Sequence, residues 1–149
     1  MDKKRLAYTA LDECRARGAE YADVRLETIE DENLSISSGT VEPIESTVST
    51  GIGIRVLKNG AWGFASTDRL EEKAVRGRAW LALRMAEASA IVNKAAISLA
   101  PVEPVTAEYT SSYEIDPFTI ALDEKIAFLR EIDDAIRSAG GPAITSRNI

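Results

Sequence analysis

Gly51-Ile52-Gly53-Ile54-Arg55-Val56-Leu57-Lys58-Asn59-Gly60-Ala61-Trp62-Gly63-Phe64-Ala65-Ser66-Thr67 sets two β-prone runs on either side of Asn59-Gly60. Asn and Gly accept the positive φ of a type I′ turn, so the stretch reads as a β-hairpin with a two-residue loop. That loop fixes the register. Lys58 faces Ala61, Leu57 faces Trp62, Val56 faces Gly63 and Arg55 faces Phe64. One face then sets Ile52, Ile54 and Val56 against the small residues Gly63, Ala65 and Thr67. The other sets Gly53, Arg55 and Leu57 against Ser66, Phe64 and Trp62, with Arg55 placed to lie across a ring.

Outward from the hairpin, Leu6, Ala7, Ala10, Leu11 and Cys14 repeat at helical spacing and Gly18 stops the run. From Ala22 the period is two: Ala22, Val24 and Leu26 alternate with Asp23, Arg25 and Glu27, a half-buried strand. Glu30-Asp31-Glu32-Asn33 is expected to turn between two strands, and it lacks the glycine and distal glutamate of a calcium loop. Ser38-Gly39 is a second turn, and Pro43 places the run Thr40 to Thr50 at an edge or breaks it. Asp68-Arg69-Leu70-Glu71 reads as a helix start, an acidic cap with a glutamate three residues on. Leu70, Ala74, Gly77, Leu81, Met85 and Ala88 would form its buried stripe, with Gly77 explained by a close approach to the sheet and Trp80 on the flank.

Arg76, Arg78 and Arg84 have Glu71, Glu72 and Glu87 as neighbours, which predicts a solvated, partly paired face. Pro101-Val102-Glu103-Pro104 is an extended connector, and Tyr109 to Tyr113 is a short strand or a loop. Leu122, Ile126, Leu129, Ile132 and Ile136 mark a last amphipathic helix, ended by Gly140-Gly141-Pro142. The final run, Ala143 to Ile149, looks like a strand. The expected fold class is α+β: an antiparallel sheet with tight hairpins, packed by amphipathic helices, as a single domain over 1–149.

Composition narrows the function classes. Apolar residues make up 45% of the 149 and charged residues 28%, ordinary for a globular domain. A net charge of -6 argues against nucleic acid, which needs clustered Lys and Arg. The early charges Asp2, Lys3, Lys4 and Arg5, with no long apolar run after them, point to a cytoplasmic chain without a membrane partner. There is no histidine and only one cysteine. A nucleophile therefore has no imidazole base, Cys14 on an apolar stripe reads as structural, and zinc has no usual ligand set. No catalytic, cofactor-binding or metal-binding residue is expected in this chain.

The central hairpin resembles that of the TldD/PmbA family, zinc metallopeptidases also called modulators of DNA gyrase. Tyr21-Ala22-Asp23-Val24-Arg25 upstream, and Asp116-Pro117 with Glu124-Lys125-Ile126 downstream, stand in the family's order. The resemblance covers nearly the whole chain, but only the family's N-terminal domain; the His-Glu-x-x-x-His zinc motif of members lies beyond this stretch. It implies zinc for a full-length member, a peptide substrate, and as partners a C-terminal catalytic part and a homologous subunit in a homo- or heterodimer. The chain would help enclose the peptide chamber and assemble subunits, with no catalysis of its own. The alternative is a free-standing assembly module without peptidase activity. Arg55, Leu57, Trp62 and Phe64 form the candidate docking face for the C-terminal part or a partner subunit, unless the last helix covers the aromatics.

Overall fold

The computed structural model describes residues 2–103, 105–140 and 144–149. In chain order it runs α1 (Lys3–Ala16), β1 (Tyr21–Asn33), β2 (Ile36–Ser37), β3 (Thr40–Val41), β4 (Glu45–Lys58), β5 (Ala61–Thr67), α2 (Glu72–Val92), a 3-10 turn (Pro117–Thr119) and α3 (Leu122–Gly140), an α+β fold. Two compact units result: Met1–Ile29 with Val48–Glu103, and Glu30–Thr47 with Pro104–Ile149. Pro104, Gly141, Pro142 and Ala143 fall outside the described residues, so the expected Gly-Gly-Pro stop is described only as far as Gly140.

The first unit is a three-stranded sheet, in the order β1-β4-β5, with α1 and α2 on one face. Asn59 and Gly60 hold φ of 52° and 69°, the left-handed pair a type I′ turn needs, and β4 and β5 pair in the register that the loop length dictates. On the far side of β4, Glu20 N donates to Leu57 O at 2.9 Å. The Thr28 and Thr50 hydroxyls meet at 3.0 Å and Arg55 reaches Asp23, so β1 runs antiparallel to β4.

Ile52, Ile54, Val56 and Ala65 close the core against Leu6, Ala10 and Cys14 of α1 and Val75, Ala79, Ala82 and Leu83 of α2. Val24, Leu26, Leu70 and Leu81 pack around this cluster, whereas Leu34, Ile36 and Leu129 lie in the second unit. Asp2 caps α1, its Oδ1 accepting from Lys4 N at 3.0 Å and Arg5 N at 3.2 Å.

α2 departs from its expected start and rotation. Thr67 Oγ1 accepts from Arg69 N at 3.1 Å, a local turn that competes with helix, so α2 begins at Glu72 and its cap residue Glu71 makes no side-chain bond. Its buried face is Val75, Ala79, Ala82, Leu83 and Ala86, and Met85 stays 47% exposed. The reason is fit rather than hydrophobicity. A Cβ on Gly63 would collide with Ala82 O and stand 2.5 Å from Ala86 N, so the helix backbone rests directly on β5, which only small residues permit. The close approach belongs to Gly63; around Gly77 there is open space. Trp80 is 48% exposed with Arg84 over its ring at 5.8 Å. Arg76 pairs with Glu13 at 3.1 Å and Arg5 with Glu72 at 2.5 Å, tying α2 to α1.

The second unit is built on a small hairpin. Ser38 and Gly39 take φ of 48° and 88° between β2 and β3, and β4 resumes only after Pro43. The chain's last residues pair with the other edge of β2: Ile36 and Ile149 exchange two 3.0 Å bonds, and Ser38 N donates to Arg147 O at 2.9 Å. Glu30-Asp31-Glu32-Asn33 is not a turn; β1 continues through it. β1 is an edge strand, where carboxylates remain solvated without leaving the strand, and Glu32 pairs with Lys125 of α3. Ile126, Leu129, Ile132 and Ile136 share one half-buried face of α3, and Tyr109 to Tyr113 is an exposed loop.

Candidate functional site

The sheet of the first unit has one face under helices. Its other face is built from the alternate residues of β1, β4 and β5, and the pairing stacks them in rows. Tyr21, Leu57 and Trp62 form the row nearest the hairpin loop; Asp23, Arg55 and Phe64 form the next; Arg25, Gly53 and Ser66 follow. Period-two alternation places them there, because every residue that points away from Ile52, Ile54 and Val56 must point this way.

All four residues of the expected docking face, Arg55, Leu57, Trp62 and Phe64, lie on this surface, but they differ in exposure. Leu57 is 3% exposed, lying in its row between Tyr21 and Trp62, whose rings meet edge to face at 5.9 Å. Arg55 stacks over the Trp62 ring at 4.7 Å and binds Asp23 Oδ2 through Nε at 2.8 Å and Nη2 at 2.7 Å. The hydrogen bond to Asp23 raises the Arg55 pKa further, so its charge is permanent. Phe64 is 56% exposed and leans across Gly53, where a Cβ would stand 3.1 Å from its Cε2.

Beyond Phe64 the glycines at 51 and 53 leave the middle strand low. An open groove of about 510 Å³ lies there, walled by Arg25 and Glu27 on one side and Phe64, Ser66 and Asp68 on the other. Sequence reasoning missed Tyr21, Asp23 and the groove. The alternation of Asp23, Arg25 and Glu27 was visible, but its partner strand and register were not, since no short turn links β1 to β4.

Chemically this surface offers a guanidinium stacked on an indole ring and an ion pair beside it. Cys14 is buried under the opposite face, and desolvation pushes its thiol up to about 11, far from the thiolate a nucleophile requires. Among the described residues no three Cys, Asp or Glu side chains come together in a way that could hold a metal ion, and the sequence has no histidine. The residues present do not fit a zinc centre. Among the described residues no helix is long and apolar enough to cross a membrane.

Residues 22–91 match the family model described as PmbA/TldA metallopeptidase domain 1. A metalloprotease of Synechocystis sp. is 29% identical over 129 residues, covering 86% of this chain and 27% of that protein. A metalloprotease of Methanocaldococcus jannaschii is 26% identical over 106 residues, 71% of this chain and 24% of its own length. A crystal structure from Bacteroides thetaiotaomicron, described as a candidate modulator of DNA gyrase, shares the fold with a TM-score of 0.58 at 19% identity, over 99% of this chain and 34% of that one. The chain thus spans about a quarter of the length of these curated relatives.

Proposed function

We propose that this chain, whose residues 22–91 belong to the first domain of the PmbA/TldD metallopeptidases, serves a cytoplasmic zinc-dependent peptidase as its N-terminal domain. It helps to enclose the chamber that takes the peptide substrate, contributes to subunit assembly, and holds no catalytic site of its own. The observation that carries this reading is the match to domain 1 alone, in a chain with no histidine that spans about a quarter of its relatives. The open sheet face supports it. Arg55, Trp62 and Phe64 are the residue types that interface centres favour, and the C-terminal part of the full-length protein is the proposed occupant.

Elemental analysis after mild chelation, with a peptide-hydrolysis assay, tests the division of labour. The purified chain should retain no stoichiometric zinc and cleave no peptide. A tightly held equivalent of zinc, or turnover that survives repurification, would overturn it.

A further inference from the structure

Of the 18 Lys and Arg residues, ten lie within 4.0 Å of a carboxylate oxygen. Among the described residues Arg69, Lys73 and Arg78 have no such partner, although the chain holds 24 acids. These three side chains line one open concavity of about 530 Å³ at the start of α2, within the first unit. Thr67, Asp68, Ala74 and Gly77 complete the lining, and Asp68 is its one carboxylate. A surface shaped for solubility alone intersperses both signs of charge. This one gathers three cations around one acid.

Gly77 is the second observation. It lies inside α2, where glycine costs about 1 kcal/mol against alanine, and nothing packs within 4 Å of where its Cβ would stand. Packing therefore does not ask for a glycine here. A ligand does, because a bound group can then approach the helix backbone between Lys73 and Arg78.

We infer that this concavity binds a small, multiply charged phosphate ligand of the diphosphate class. Guanidinium groups meet phosphate oxygens with paired donors, and the Lys73 ammonium adds a point charge. Lys73 and Arg78 alone are about 7.5 Å apart along the helix axis, so two linked phosphates span the cations better than one. The lining has no aromatic ring and only Ala74 as an apolar side chain, so it holds charge and not the body of a peptide. A long polyanion such as nucleic acid would lay its remaining phosphates against a chain of net charge -6. The inference rests on these residues and is independent of the peptidase reading.

Equilibrium dialysis of the 149-residue chain against inorganic diphosphate at low ionic strength tests it. Retention should saturate at one equivalent. Lys73→Gln and Arg78→Gln should each raise the dissociation constant about tenfold or more. Lys94→Gln, which removes an exposed charge beyond the other end of α2, should leave it unchanged. Gly77→Ala separates binding from folding: its urea midpoint should rise while its affinity falls several-fold. ADP distinguishes an esterified source from free diphosphate, and either binding tighter supports the site provided that Lys73→Gln weakens it. No saturable retention at millimolar diphosphate overturns the inference. So does binding that Lys94→Gln weakens as much as Lys73→Gln, or that Gly77→Ala leaves intact.

Discussion

Gly63 and Gly77 are chemically the same residue with opposite consequences. Gly63 has no room for a Cβ, because Ala82 and Ala86 of α2 rest on it. Gly77 has nothing within 4 Å and lies exposed in mid-helix, where glycine has only its entropic cost. Gly63→Ala should therefore destabilise by about 1–3 kcal/mol through overpacking. Gly77→Ala should stabilise by about 0.5–1 kcal/mol. Urea midpoints for the pair give the test, and shifts of the same sign would refute the assigned contact. At this scale the sequence disclosed what is locally encoded. Asn59-Gly60 specifies its own positive φ, so the turn was readable. The role of Gly63 depends on a helix that arrives later in the chain, so the tight approach was expected at Gly77 instead.

The same division holds between elements. A two-residue loop fixes the register of β4 and β5, and that register holds from Lys58↔Ala61 to Ile52↔Thr67. The rotation of α2 was not legible, because Ala, Leu, Val and Met cover so much of its circumference that shape, not polarity, chooses the buried face. The two faces of the hairpin can be told apart by substitution. Ile54 is fully buried, and Ile54→Ser should cost about 2–5 kcal/mol or unfold the chain. Trp62 is half-buried on the open face, under Arg55 and beside Tyr21. Trp62→Ser should lower the melting temperature much less and improve solubility. Equal losses in thermal melts would make Trp62 a core residue and move the docking face elsewhere.

At the scale of the molecule, sequence periodicity gave the fold class but did not show that β1 and β4 each run from one compact unit into the other. Nor could it show where the terminal run pairs, because Ile36 and Ile149 lie at a separation that no local rule spans. Besides that backbone pairing, an ion pair ties the run to α3 within the second unit. Arg147 forks onto Asp133 of α3, Nε to Oδ1 at 2.6 Å and Nη2 to Oδ2 at 3.0 Å, and Asp133 is 4% exposed. The hydrogen bond from Arg147 holds the Asp133 carboxyl below its ordinary value, against the desolvation that opposes it. A carboxyl depressed in the folded state contributes stability above its unfolded pKa of about 3.9, and that contribution is lost as pH falls through the folded value. Protonation then leaves Arg147 facing a neutral acid, with the like-charged Arg137 nearby. The amides of Ile36, Ser38 and Ile149, which carry the pairing, should lose hydrogen-exchange protection in acid once intrinsic exchange is corrected for. Asp133→Asn should show that weakened protection already at neutral pH and lose this acid step. If wild-type protection at these amides is flat from neutral pH to well below the unfolded carboxyl pKa, the Asp133–Arg147 pair is not what holds the terminal run.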